Sequence, residues 1–265
     1  MKISMLFVTS FFLATYISAL QDTPIAIICN PKTGTNLVAK CLTLMTGRKK
    51  VFATPGNNQI TLVPEELAAL SDKDLFITHA QYLESNRQLV EIYNFKVISI
   101  LRDPRDQIVS FAHWINKQAA WKHLHHLSIE ELITLLITDY NRGYQCIGTP
   151  KPTSIDTAYR VLYMPWSKEK YVYTTTFEKL VGPAGGGSKE SQITEIMNIA
   201  QHLDITLTQK QIEFITDNLF GNTFTFREGL IGSWRKAFTQ QHTILFKQVA
   251  GQLLIDLGYE TDQSW

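Results

Sequence analysis

The sequence predicts an α/β domain of three layers, with a central parallel sheet of about five strands flanked by helices. Short β-rich runs alternate along the chain with helical stretches, the order that βαβ units impose. The strongest runs, at 25–29, 75–78, 96–101 and 170–174, are nearly continuous in apolar or β-branched residues, as strands covered on both faces must be. The length of 265 residues gives room for an ample core, and 45% apolar against 18% charged residues is a globular rather than a disordered composition. With 25 basic and 24 acidic residues, no overall field draws the chain to nucleic acid or to an acidic membrane. Any recognition of an anion must be local.

Residues 1–20, MKISMLFVTSFFLATYISAL, stand apart. Lys2 is the only charge before Asp22, and the run after it is apolar or small, with no amphipathic period. This is the composition of a secretory signal cut after Ala19, and the run is also long enough to stay in a bilayer as a signal-anchor. The first reading makes the chain an exported or periplasmic protein of the secretory pathway. The second leaves it membrane-associated through residues 3–20. Residues 21–265 read as a single domain, since no internal repeat or second-domain signal divides them.

The run at 25–29 leads into the turn Pro31-Lys32-Thr33-Gly34-Thr35-Asn36 and then a helix holding Cys41. A weaker strand candidate covers 51–53. The run at 75–78 ends at His79, and 96–101 ends at Arg102 ahead of a helix that carries Ser110. Ser128 with Glu131, and Thr208 with Gln211, are capping boxes that open two further helices. Ile193, Ile196, Met197, Ala200 and Leu203 follow the i, i+3, i+4, i+7 spacing of one helix face. The last helix carries Leu245, Val249 and Leu253 and ends at Gly258, suited to the left-handed position after a helix. Two stretches read as loops: 146–168, rich in Pro and small polar residues, and GPAGGGSKE at 182–190, a flexible linker into the next helix. Cys29, Cys41 and Cys146 make no disulfide framework; the first two read as small core residues, with one bridge left open. His123, His125 and His126 lack a metal-ligand pattern and read as solvated surface.

Three segments carry chemistry. The Pro31–Asn36 turn wraps the carboxyl end of the first strand and opens a helix, where free N–H groups and the helix dipole make an anion site. Gly34 admits close backbone approach, while Lys32 and the Thr35 hydroxyl add charge and a donor. At such a crevice in an open parallel sheet, the expected ligand is a nucleotide or a similar anion. The second segment, Arg102-Asp103-Pro104-Arg105-Asp106 with Ser110 about two helical turns on, offers a guanidinium and a hydroxyl to a phosphate. Its bland alternative is a cluster of Arg–Asp ion pairs. The third, FREGLIGSWRKAFT at 226–239, places Arg227 and Gly229 in a glycine-punctuated loop.

In order and spacing, these segments resemble the signature of the sulfotransferases that use 3′-phosphoadenosine 5′-phosphosulfate (PAPS). That family reads PKSGTTW, then R-x-x-x-D-x-x-x-S, then RKGxxGDWxxxFT. Here the counterparts are Pro31 to Asn36, Arg102…Asp106…Ser110, and Arg227-Glu228-Gly229…Gly232-Ser233-Trp234…Phe238-Thr239. Ile77-Thr78-His79 is similar to the family's Lys-Thr-His. The resemblance spans about 24–265 and implies a P-loop-like fold and transfer of a sulfuryl group from PAPS to a hydroxyl or amine, with no metal. Lys32, Thr33, Gly34, Thr35 and Asn36 would bind the 5′-phosphosulfate, and Arg102, Ser110, Arg227 and Gly229 the 3′-phosphate. His79 would be the base, and Ser110 would hold Lys32 in reserve until the acceptor arrives. Leu37 replaces an adenine-stacking Trp, which leaves the stacking to Phe177 or Phe220. Glu228 replaces a Lys and requires a partner in Arg227 or Arg235, and Ile77 removes a cation beside the sulfuryl group.

Two alternatives stand beside this reading. One is a P-loop kinase or NTPase with Asp103 as its magnesium ligand, although the loop lacks the Gly-Lys-Ser/Thr ending that grips a metal–triphosphate. The other is a degenerate, non-catalytic nucleotide-binding module. The segments expected to line the acceptor, 54–63 and 143–168, are aromatic and polar without a basic cluster. That disfavours a highly sulfated polysaccharide and leaves small molecules, lipids or glycans.

Overall fold

The computed structural model describes residues 23–54, 60–142, 153–223 and 226–265; the leader expected at 1–20 and Cys146 lie outside the described residues. In chain order the elements are β1 (Ile25–Ile28), α1 (Thr35–Thr46), β2 (Lys49–Phe52), α2 (Pro64–Ala68), β3 (Asp74–Thr78), α3 (Glu84–Ile92), β4 (Lys96–Leu101) and α4 (Pro104–Ile115). They continue with α5 (Ile129–Thr138), α6 (Ile155–Thr157), β5 (Val172–Thr176), α7 (Phe177–Leu180), α8 (Lys189–His202), α9 (Gln209–Leu219), α10 (Trp234–Ala237) and α11 (Gln240–Asp256).

All five strands are parallel, in the order β2-β3-β1-β4-β5. The connections from β1 and β4 leave in opposite directions, so a crevice opens between their carboxyl ends, the place where such sheets bind ligands. Ile25, Ile27, Leu75, Ile77, Ile98 and Ile100 face one side of the sheet, under α1, α7, α8 and α9. Ala26, Ile28, Phe76 and Val97 face the other, with Val90 of α3 and Trp166 over them. A third cluster packs α4, α5 and α11 around Phe111, Leu132 and Phe246. Both-sided cover explains the unbroken apolar runs of β1 and β4, whereas β2, an edge strand, exposes Lys49, Lys50 and Phe52.

Both anticipated capping boxes form. The Ser128 hydroxyl accepts from Glu131 N at 3.2 Å, and Thr208 does the same for Gln211. Gly258 follows α11 at φ 77. The strand expected at 170–174 lies two residues later: a turn closed by Val172 N on the Glu169 carbonyl delays its start, and Thr175 and Thr176 extend the ladder against Ile100 and Leu101. The face expected for α8 is rotated. Met197 is exposed, and Gln192 and Glu195 are buried in its stead, since Gln192 donates to the Leu180 carbonyl and Glu195 accepts from the Tyr173 hydroxyl. Of the loop expected at 146–168, residues 146–152 lie outside the described residues, and the rest is largely helical: α6 passes into a turn of π-helix at Ala158–Tyr163 and a 3₁₀ turn at Met164–Lys168. Burial of Tyr159, Tyr163 and Trp166 drives that stretch onto the sheet. The glycine run is not a loose linker; it folds into a 3₁₀ turn at Pro183–Gly185. Cys29 and Cys41 are buried and unbridged. Among the described residues no helix is long and apolar enough to cross a membrane.

Candidate active site

The loop after β1 is fixed from behind. Thr33, fully buried, donates its hydroxyl to the Asn30 carbonyl at 2.6 Å. The Gln107 amide donates to the Pro31 carbonyl at 2.6 Å and to the Tyr140 hydroxyl at 2.7 Å, and Tyr140 donates to Asn30 Oδ1 at 3.0 Å. The Tyr159 hydroxyl lies 2.5 Å from Gln107 Oε1 and 2.9 Å from the Arg102 carbonyl. A buried hydrogen-bond network of this kind stiffens the backbone it touches. It holds Lys32 at φ 67, a left-handed conformation that costs a non-glycine residue about 1–2 kcal/mol. Gly34 follows at φ 122, where a Cβ would come within 2.9 Å of Ile100 and 3.1 Å of Phe177. α1 then begins with no side chain capping it, so the positive end of its dipole faces the loop, where an anion would be favoured.

β4 delivers the second segment. The Arg102 guanidinium lies over the Phe177 ring at 4.1 Å and donates to the Leu230 carbonyl at 3.0 Å, while its buried Nε has no hydrogen-bond partner among the described residues. The ion-pair alternative holds for its neighbours and, at 3.9 Å from Nη2 to Asp106, for Arg102 as well. Asp103 caps α4 by accepting from Arg105 N at 2.9 Å and pairs with the Arg105 guanidinium at 2.8 Å. Asp106 is fully buried and accepts from Gly232 N at 2.7 Å, the Ser233 hydroxyl at 2.9 Å and Trp234 N at 2.8 Å. This carboxylate therefore ties the third segment to the second and brings Arg227 and Gly229 to the same cavity as Arg102 and Ser110. The glycine run supports that loop from the far side, since the Gly185 carbonyl accepts from Ile231 N at 2.9 Å. Glu228 finds a partner in Arg227, at 2.7 Å.

His79, at the carboxyl end of β3, donates from Nδ1 to the Cys29 carbonyl at 2.8 Å. A carbonyl only accepts, so the proton is fixed on Nδ1 and Nε2 keeps its lone pair. Burial, with Lys32 adding repulsion and the Cys29 bond opposing, lowers the His79 pKa to about 4. Burial, then Arg102 and Arg227, lower that of Lys32 to about 8. The Lys32 ammonium rests not on Ser110 but over the Trp114 ring, 4.3 Å from its centroid.

A cavity of about 710 Å³ joins these groups. Lys32, Gly34, Thr35, Asn36, His79, Arg102, Ser110, Phe177, Arg227 and Gly229 all line it; Thr33 does not, because its side chain points into the protein. Phe177 has Arg102 across one face, whereas Phe220 lines the cavity edge-to-face with Phe226, ring centroids 5.3 Å apart. Sequence reasoning missed Trp114 and Trp121, which also line the cavity; Trp114 stands four residues after Ser110 on the same helix face, and that spacing was the available signal. Among the described residues no group of three His, Cys, Asp or Glu side chains is arranged to hold a metal. His123, His125 and His126 are exposed.

A parallel α/β sheet whose switch-point loops converge cations, helix N–H groups and a histidine on one cavity defines a group-transfer enzyme acting on an anionic nucleotide. The family model of the sulfotransferase domain matches residues 22–258. The chain belongs to that family and is a sulfotransferase. Among solved structures it is similar to mouse sulfotransferase SULT7A1 complexed with PAP, at 18% identity and a TM-score of 0.64 over 90% of this chain and 89% of that one. It is also similar to retinol dehydratase in complex with androsterone and inactive cofactor PAP, at 17% identity and 0.58 over 89% and 81%. The complex of retinol dehydratase with retinol and PAP follows at 15% identity and 0.57 over 89% and 82%. No curated protein sequence matches the chain.

Proposed function

We propose that the chain moves a sulfuryl group from PAPS to a hydroxyl or amine of a small molecule by in-line displacement, with His79 as the base. The observation that carries this reading is the Arg102 Nε, buried without a partner among the described residues in the cavity that Ser110, Arg227 and His79 also line. A buried guanidinium N–H without a partner is costly, and a phosphate oxygen satisfies it. Arg102, Ser110, Arg227 and Gly229 would hold the 3′-phosphate; Lys32 and the N–H groups from Gly34 to Asn36 would hold the phosphosulfate end. Thr33 contributes its backbone and keeps its hydroxyl on Asn30. Bound PAPS supplies a sulfuryl group already joined to a phosphate leaving group. Transfer of this type is served by positioning and by charge offset at the leaving oxygen, by analogy with phosphoryl transfer. His79 Nε2 takes the proton from the acceptor, and Lys32 offsets the charge that grows on the leaving phosphate.

The retinol dehydratase complexes contain androsterone and retinol. The aromatic wall of Trp114, Trp121 and Phe52 fits the same class, a small apolar molecule bearing a hydroxyl. The kinase alternative loses its magnesium ligand, because Asp103 is engaged with Arg105 and the start of α4. The composition of residues 1–20 supports entry into the secretory pathway as a cleaved signal, with membrane association through residues 3–20 as the alternative. Thermal unfolding in the presence of adenosine 3′,5′-bisphosphate (PAP), AMP or ATP tests the donor. A ligand at about 100 times its Kd stabilises by about 2.7 kcal/mol, so a rise in Tm of several degrees with PAP alone is expected. Equal shifts with all three, or none with PAP, would sink the reading.

A further inference from the structure

The loop that carries Arg227 also brings a negative charge to a cavity suited to anions. Lys32, Lys50, Arg102 and Arg227 line that cavity, and Glu228 is the one acid that lines it among the described residues. Glu228 stands where the third family segment has a Lys. Its carboxylate lies 2.7 Å from Arg227 Nη1, with the Arg227 side chain 27% and the Glu228 side chain 46% exposed. The other carboxylates beside Arg102 are satisfied by donors of the protein. Asp103 accepts from Arg105 N, Asp106 from Gly232 N and Trp234 N, and Glu178 from Asp103 N and the Tyr259 hydroxyl. Glu228 has Arg227 as its one hydrogen-bond and ion-pair partner among the described residues.

A 3′-phosphate held by Arg227 brings about 1.5 to 2 negative charges to a guanidinium that Glu228 already holds. Arginine has donors enough for both, but the two anions repel, and each weakens the other's hold on one positive charge. Sulfuryl transfer leaves the 3′-phosphate unchanged, so the donor and the desulfated product meet the same opposition. A group that acts equally before and after the reaction alters binding and release rather than the bond-making step. We propose that Glu228 is a specificity-determining residue that competes with the 3′-phosphate for Arg227, loosening the nucleotide and speeding the departure of PAP. This rests on the sulfotransferase reading of the site.

The test needs no acceptor. Binding of PAP and of AMP, which lacks the 3′-phosphate, is measured by calorimetric titration for the full chain and for Glu228→Gln and Glu228→Lys. Glu228 is half exposed and accepts from no buried donor among the described residues, so both variants are expected to melt at the parent's temperature. Glu228→Gln should tighten PAP binding about fivefold, the upper worth of a partly exposed ion pair. Glu228→Lys puts a cation in place of the anion and should tighten it at least about tenfold. AMP affinity should stay within about twofold of the parent in both, as for an ordinary surface substitution. In stopped flow, PAP dissociation should slow by the same factors, since changes within one site act mostly on the off-rate. PAP affinity equal to or weaker than the parent's in Glu228→Gln overturns the proposal; the weaker outcome would make Glu228 the side chain that aims Arg227 at the phosphate. Equal tightening of AMP overturns it as well, because the opposition would then not lie at the 3′-phosphate. Absence of PAP binding by the parent would instead remove the sulfotransferase reading itself.

Discussion

Asp106 shows how one side chain decides whether the site exists. Its carboxylate accepts from Gly232 N, Ser233 Oγ and Trp234 N, so three donors from the third segment converge on one buried charge of the second. Asp106→Asn keeps the volume but turns an NH₂ group toward N–H donors that have nowhere else to bond. A lost charge-assisted bond and an unsatisfied buried donor together cost about 2–3 kcal/mol. At about 2–4 °C per kcal/mol for a domain of this size, the melting temperature should fall by about 5–10 °C. Because Arg227 and Gly229 hang from the same loop, PAP affinity should fall at least about tenfold; calorimetric titration with PAP measures it. Unchanged affinity in a destabilised variant would show that the loop keeps its place without Asp106. That His79, Arg102 and Ser110 meet at one cavity was legible from their offsets from strand ends read together with the family resemblance. The inward turn of Thr33 and the tie made by Asp106 were not, because the direction of a short polar side chain is set by partners distant along the chain.

Among the elements, the stretch 182–187 departs furthest from its sequence reading. Glycine-rich composition is shared by chains that must move and by chains that must approach closely, and composition alone does not separate the two. Here close approach decides: a Cβ on Gly185 would lie 2.2 Å from Val181 Cγ2 and 2.6 Å from the Gly229 carbonyl oxygen. The turn is a buttress between α7 and the loop that carries Arg227. Gly185→Ala should push that loop outward, with an overpacking cost of about 1–3 kcal/mol, and should weaken PAP binding while leaving helix content by circular dichroism unchanged. Full PAP affinity in this variant would return the stretch to the status of a linker. The helices opened by Ser128 and Thr208 were legible because capping is local. The rotated face of α8 was not, since Gln192 and Glu195 are buried for the sake of Leu180 and Tyr173, which no helical period encodes.

Across the whole molecule a nearly neutral chain gathers Lys32, Arg102 and Arg227 at one cavity, and this concentration sets how donor binding depends on pH. Burial and the two arginines bring the Lys32 pKa down from 10.5 to about 8 in the donor-free protein. The negative charge of PAP favours the ammonium, so the pKa of Lys32 is higher in the complex than in the free protein. The sign follows from linkage: below about pH 8 the amine is charged in both states, and affinity does not depend on its titration. Above pH 8 the free protein loses the proton that the complex retains, so binding takes up a proton and affinity falls by up to about tenfold per pH unit. Titrations between pH 7 and 9.5 in buffers of different ionisation enthalpy report this uptake directly. Lys32→Arg, charged throughout that range, is expected to bind PAP with a flat profile. The 3′-phosphate, whose last ionisation lies near pH ~6, is already fully charged there and contributes no slope. A parent profile as flat as that of Lys32→Arg would mean that Lys32 keeps an ordinary amine pKa and that its charge is not poised by the cavity.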